Sequence, residues 1–140
     1  MRAVSFTVPG DPVAKGRPRA TTIAGRARMY TPEKTRSYEA QVKWFAAEAM
    51  AGAAPIESAC RMTLEIFVRA PASLSKRKRD DALAGRTRPT TKPDTSNALK
   101  SIEDAINGIV YVDDKQIVEL VAKKFYSDRP RVEVLVEALN

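Results

Sequence analysis

A chain of 140 residues with 44% hydrophobic and 29% charged side chains fits one folded domain, 1–140, and has no run of apolar residues long enough to span a membrane and no apolar leader after Met1. No histidine and a single cysteine, Cys60, exclude His-based metal sites, Ser–His and Cys–His nucleophilic catalysis and an internal disulfide, which leaves a reduced, cytoplasmic domain working with Asp, Glu, Lys, Arg, Ser and Tyr. The net charge of +7 is uneven: residues 1–36 hold eight basic and two acidic side chains, residues 75–92 seven and two, and residues 93–140 six and nine. Such basic segments suit a polyanion, although a solubilising surface would look the same on charge alone.

Val4, Phe6 and Val8 alternate with Ala3, Ser5 and Thr7, which predicts a half-buried strand ending at Pro9-Gly10. Gly10 to Tyr30 is rich in Pro, Gly, Lys and Arg and reads as a long loop or irregular hairpin. Thr31-Pro32-Glu33 supplies an N-cap, a proline for the first helical position and an acid for the first turn; Tyr38, Val42, Phe45 and Ala49 then predict a helix over 33–50, ended by 51–55. A second strand follows at Met62–Val68, stopped by Pro71, and Ser75–Ala82 reads as a short charged helix. A helix over 95–107 places Leu99, Ile102, Ala105 and Ile106 on one face, with Gly108 as its stop. The end of the chain reads as a short extended piece at 109–112, then an antiparallel hairpin with arms 117–126 and 131–138 turned by Ser127-Asp128-Arg129-Pro130. The order implies an α+β domain in which two main helices cover one face of a mixed sheet.

The chemistry concentrates in Lys92-Pro93-Asp94 through Asp114. With the apolar face of helix 95–107 buried, Asn97, Lys100, Ser101 and Asp104 point the other way, Asp94 precedes the first turn, and Asp113-Asp114 return after Gly108. Singly, these residues read as a helix cap, a turn pair and an i, i+4 surface ion pair. Together, behind a loop carrying Lys and Arg, they match what Mg²⁺ requires: one or two carboxylates, substrate phosphate, and a cation to offset excess charge.

Two blocks resemble the RusA family of Holliday junction resolvases, small DNA endonucleases often carried by phages and prophages. The first is Pro9-Gly10-Asp11-Pro12-Val13-Ala14-Lys15-Gly16-Arg17-Pro18-Arg19, followed by Tyr30-Thr31-Pro32. The second is Lys92-Pro93-Asp94, then Asn97, Lys100, Asp104, Asn107-Gly108 and Asp113-Asp114. The resemblance implies a homodimer that binds four-way junctions by shape and cuts two opposed strands symmetrically, using Mg²⁺ or Mn²⁺ and no organic cofactor, in recombination and repair. It implies Asp94 and Asp114 as metal-binding catalytic carboxylates, Lys100 as the essential lysine at the scissile phosphate, and Asp113, Asn97 and Asp104 as support. Lys15, Arg17, Arg19, Arg28 and Lys92 are expected on DNA. At one position the chain departs: Ser96 stands where the family commonly has a second Asp. Ser96 then coordinates through its hydroxyl or a water, or the metal leans on Asp113, Asp104 or Glu103, or the protein binds branched DNA with weakened or lost cleavage.

Overall fold

The computed structural model describes residues 2–16, 19–30 and 32–140, and only the backbone of Arg19, Ile23 and Tyr30. Its strands are β1 (Ala3–Pro9), β2 (Arg19–Ile23), β3 (Arg26–Tyr30), β4 (Cys60–Arg69), β5 (Ile117–Ser127) and β6 (Arg131–Ala138). The helices are α1 (Glu33–Met50), α2 (Lys76–Leu83) and α3 (Thr95–Ile106), with a 3₁₀ turn at Asp114–Gln116. The fold is α+β, with one mixed four-stranded sheet in the order β1-β6-β4-β5 and a separate β2-β3 ribbon.

Strict alternation in β4 and β6 puts Met62, Leu64, Ile66, Val132, Val134 and Val136 on one face, joined there by Val4 and Val8 of β1. Against that face lie α1, through Tyr38, Val42, Ala46 and Met50, and α3, through Ala98, Ile102, Ala105 and Ile106. The burial stripes are slightly rotated from the sequence expectation: Ala46 and Met50 are buried where Ala49 is exposed, and Phe45 and Leu99 are half-buried. Ser101 departs further, since it is fully buried and donates from Oγ to the Val13 carbonyl at 2.9 Å. A serine hydroxyl between two packed segments can face inward because a backbone acceptor meets it there.

Helix starts and stops follow local chemistry. Ser75 caps α2, accepting from the Lys78 N–H, and α1 ends in left-handed Ala51 followed by Gly52. Pro32 occupies the position before α1 and not its first turn; Thr31, the expected cap, lies outside the described residues.

The expected C-terminal hairpin is corrected by the topology. β5 and β6 are not neighbours: β4 lies between them, parallel to β5 and antiparallel to β6. The turn at 128–130 therefore steps across the end of β4, where Ala70 N–H donates to the Ser127 carbonyl at 3.0 Å. β4, alternately apolar and flanked by two pairing partners, takes the sheet centre because its inward side chains bury most completely there. The expected extended piece at 109–112 is reduced to isolated bridges from Tyr111 to Ile56 and Asn107. Among the described residues, no helix is long and apolar enough to cross a membrane.

Candidate metal centre

α3 is the spine of the site. Its apolar stripe seats on α1 and the sheet, so Lys100, Glu103 and Asp104 reach the opposite, solvent-facing side. The chain leaves the helix through Asn107-Gly108, Gly108 taking φ +83°, and doubles back to the 3₁₀ turn. Two side chains, one buried and one half-buried, fix that return. Tyr111 is fully buried and donates its hydroxyl to the Glu103 carbonyl at 2.8 Å. Gln116 donates from Nε2 to the Ile56 and Ser58 carbonyls at 2.7 and 2.9 Å, while its Oε1 accepts from the Asp113 N–H at 2.8 Å.

The result is a group of three carboxylates, from Glu103, Asp104 and Asp114, with one oxygen from each inside a 4.8 Å radius of the others. Lys100 approaches from the same side, 3.3 Å from Asp104 Oδ1 and 3.7 Å from Glu103 Oε1. Lys15 approaches from the N-terminal segment, 3.3 Å from Asp104 Oδ2, and also pairs with Glu39 of α1. Asp104 thus receives one ammonium on each oxygen.

The electrostatics register a local surplus of negative charge. Burial raises the Glu103 carboxyl above its ordinary value, and hydrogen bonding to Asp114 raises it further, with Lys100 opposing. Attraction to Asp104 lifts Lys100, with smaller contributions from Glu103 and Asp114. Burial alone would lower Lys15, but its bonds to Glu39 and Asp104 more than compensate. Carboxylates that raise one another's affinity for protons mark a place where a divalent cation would relieve repulsion. The oxygen-only donor set, half-buried and partly open to solvent, fits a hard cation such as Mg²⁺ or Mn²⁺.

The other expected residues are distributed around this centre. Asp113 is turned away, its carboxylate accepting from the Lys115 N–H and its backbone held by Gln116 in a capping box, so its side chain serves the turn. Asp94 stands at the N-cap of α3 without capping it, accepting from Asn97 Nδ2 at 3.2 Å. Ten positions separate it from Asp104, about 15 Å of helix rise, so the structure does not bring Asp94 to the Glu103–Asp104–Asp114 group. Ser96 is exposed in the first turn of α3, at that same distant end.

Asp94 and Asn97 instead line a groove of about 610 Å³ together with Lys34, Lys92 and Pro12–Ala14. The basic N-terminal segment is fastened into the crevice between α1 and α3 by Ser101 and by backbone bonds: Lys15 N–H donates to the Asn97 carbonyl at 3.0 Å, and Gly16 N–H to Thr35 Oγ1 at 3.1 Å. A Cβ on Gly16 would fall 2.5 Å from Thr35 Oγ1, so only glycine lies this close to α1. Arg28 is exposed on the β2-β3 ribbon; Arg19 sits in that ribbon with only its backbone described, and Arg17 lies outside the described residues. Glu103 is the acid that the motif pattern named only as a fallback. Its signal was its spacing, three residues after Lys100 and beside Asp104.

Comparison with known proteins accords with the two sequence blocks. The family model described as Endodeoxyribonuclease RusA matches residues 9–137. Over 142 aligned residues the chain is 38% identical to YqaN of Bacillus subtilis (strain 168), described as an uncharacterized protein, covering 100% of this chain and 99% of YqaN.

Proposed function

Because this chain belongs to the RusA family of endodeoxyribonucleases, we propose that it is a Mg²⁺-dependent, structure-specific nuclease, also served by Mn²⁺, that resolves four-way DNA junctions by paired symmetric nicks in recombination and repair. It acts in the cytoplasm as a homodimer, since two opposed strands require two sites related by a two-fold axis. The observation that carries the reading is the meeting of Glu103, Asp104 and Asp114 with Lys100 beside a basic segment.

Asp114, Asp104 and Glu103 would hold the cation, which when bound supplies charge stabilisation at the reacting phosphate. Lys100, half exposed and tethered through carboxylates, can release one of them to engage a phosphate oxygen and fix the scissile group. Lys15 holds Asp104 in place from the far side and keeps the charge of the group within bounds. Asp94 and Asn97, with Lys34 and Lys92, would receive the strand along the groove at the other end of α3; the resemblance assigns Asp94 to the metal as well, together with Asp113 and Ser96. Arg17, Arg19, Arg28 and Lys92 would contact DNA phosphates.

The test compares a synthetic four-way junction with a linear duplex, with and without Mg²⁺. Paired nicks in the junction alone, requiring the cation, are expected. Junction binding without cutting in either Mg²⁺ or Mn²⁺ would replace this reading with a second one, a branched-DNA-binding protein that has lost catalysis, for which serine at position 96 is the motivating feature. Separate Asp94→Asn and Glu103→Gln variants then locate the cation. Loss of Mg²⁺ binding in Glu103→Gln, with retention in Asp94→Asn, places it at the C-terminal half of α3, and the reverse places it at the groove.

A further inference from the structure

The link between α2 and α3 is fastened over its second half to β5, an edge strand of the sheet, and the fastening reaches both faces. Lys124 pairs in register with buried Ile66, so its side chain lies on the face that carries the helices. From there its ammonium donates to the Thr91 carbonyl at 2.7 Å and to the Pro93 carbonyl at 2.9 Å. Phe125, the next residue, pairs with Phe67 and lies on the opposite face. There the Arg88 guanidinium covers its ring at 3.9 Å, and Arg88 Nε donates to the Lys124 carbonyl at 2.6 Å. Between the two grips the chain turns around the strand edge, with Pro89 buried.

The Arg88 grip is stiffened across the sheet. Phe125 stacks on Phe67 with ring centroids 5.6 Å apart, and Arg131 of β6 covers Phe67 at 3.9 Å. Two cations and two rings thus form a ladder over three strands, in which each layer limits the movement of the next. The Lys124 grip acts on the groove. The Pro93 carbonyl belongs to the peptide unit that leads into Asp94, and the Asp94 carbonyl accepts from the Ala98 N–H at 2.9 Å. Asp94 is therefore held through the backbone on both sides, while its carboxylate makes no cap bond to α3. Thr91 and Pro93 likewise bracket Lys92, which lines the groove with Asp94. An ammonium carries three donors, so one lysine holds both carbonyls at once.

We propose that Lys124 and Arg88 are positioning residues for the groove: they clamp residues 88–93 around the edge of β5 and so set where Lys92 and Asp94 meet the DNA strand. The consequence for DNA rests on the nuclease reading; the clamp itself does not.

A nitroxide on Thr90→Cys reads the clamp without DNA, since Thr90 is exposed and native Cys60 is buried. Its spectrum should show an immobilised label in the otherwise native chain and a mobile one after Lys124→Met, which keeps the side-chain length and removes the donors. Arg88→Gln, at an exposed side chain, should free the label in the same way and serves where the Lys124 variant fails to fold. On a four-way junction, Lys124→Met and Lys92→Ala should each weaken binding by about tenfold, the worth of one charge-assisted hydrogen bond. The double variant should lose no more than either alone, because Lys124 acts through Lys92. A label that stays immobile in both clamp variants would overturn the proposal. So would losses that multiply in the double variant, since Lys124 would then reach DNA itself or serve stability alone. A label freed by both variants, in a protein that neither binds nor cuts junctions, would sink the nuclease reading and support the clamp.

Discussion

Glu103 carries the most informative charge in the molecule. Burial, and then hydrogen bonding to Asp114, raise the Glu103 carboxyl above its ordinary value of 4.5. A carboxyl raised on folding favours the folded state at low pH, and that contribution is lost as pH rises through the raised value. The cation-free protein should therefore lose stability as pH climbs above 4.5, and Glu103→Gln should flatten that part of the profile in denaturant titrations; an unchanged slope would count against the raised Glu103 carboxyl. Mg²⁺ competes with protons for the same carboxylates, so its affinity should rise with pH over the same interval. Lys100 gives a kinetic counterpart. Lys100→Ala should lower junction cutting by about 10²–10³-fold, as removal of a transition-state donor does elsewhere, with little change in junction affinity, read as single-turnover rate against binding isotherm. Ser96, exposed at the far end of α3, marks a sharp contrast. If the cation sits at Glu103, Asp104 and Asp114, Ser96→Asp should leave the Mg²⁺ titration where it is, and a lowered Mg²⁺ requirement would move the cation to the Asp94 end.

Between the elements, the site depends on how two irregular segments are fastened to α3. The N-terminal segment lies against α1 at Gly16, where an added methyl would meet Thr35 Oγ1. Gly16→Ala should cost about 1–3 kcal/mol in unfolding free energy through overpacking, and by displacing Lys15 it should also disturb Asp104. The return loop depends on Tyr111. Tyr111→Phe keeps the buried ring and removes the bond to the Glu103 carbonyl, a loss of about 1 kcal/mol, with a larger effect on Mg²⁺ affinity than on global stability because the loop delivers Asp114. Equal global and metal losses would show that Tyr111 serves packing alone.

For the whole molecule, the basic surface separates by whether its charges are already satisfied. Lys15 is engaged by Glu39 and Asp104, whereas Arg28 stands exposed on a ribbon away from the sheet. A phosphate contact contributes about 0.9 to the slope of log affinity against log salt on duplex DNA. Arg28→Ala should accordingly reduce the slope for a four-way junction by about that amount, and Lys15→Ala should leave it unchanged while slowing cutting. A fall in slope with Lys15→Ala would show that it leaves its carboxylates for DNA.

The local elements were legible because each rests on chemistry within one or two turns of chain. The alternation of Met62 to Val68, the stretch 33–50 and the apolar stripe of 95–107 named their own strand and helices, and the α+β class followed from their order. Lys100, Asp104 and Asp114 were also legible as a group, because i, i+4 spacing and a glycine stop dictate where a helix and its return loop meet. Strand neighbours were not, since β5 and β6 carry hairpin-like patterns and a turn, and only competition for the sheet centre inserts β4 between them. The inward turn of Ser101 depended on the Val13 carbonyl, 88 residues away in the chain. The separation of Asp94 from Asp114 depended on helix length against loop length, a distance that motif spacing does not state. Which residues could do chemistry, and on what class of element, was written in the local pattern of the chain; which of them share a cation-sized space, and which strand takes the sheet centre, came from packing, because both are set by contacts between segments far apart in the chain.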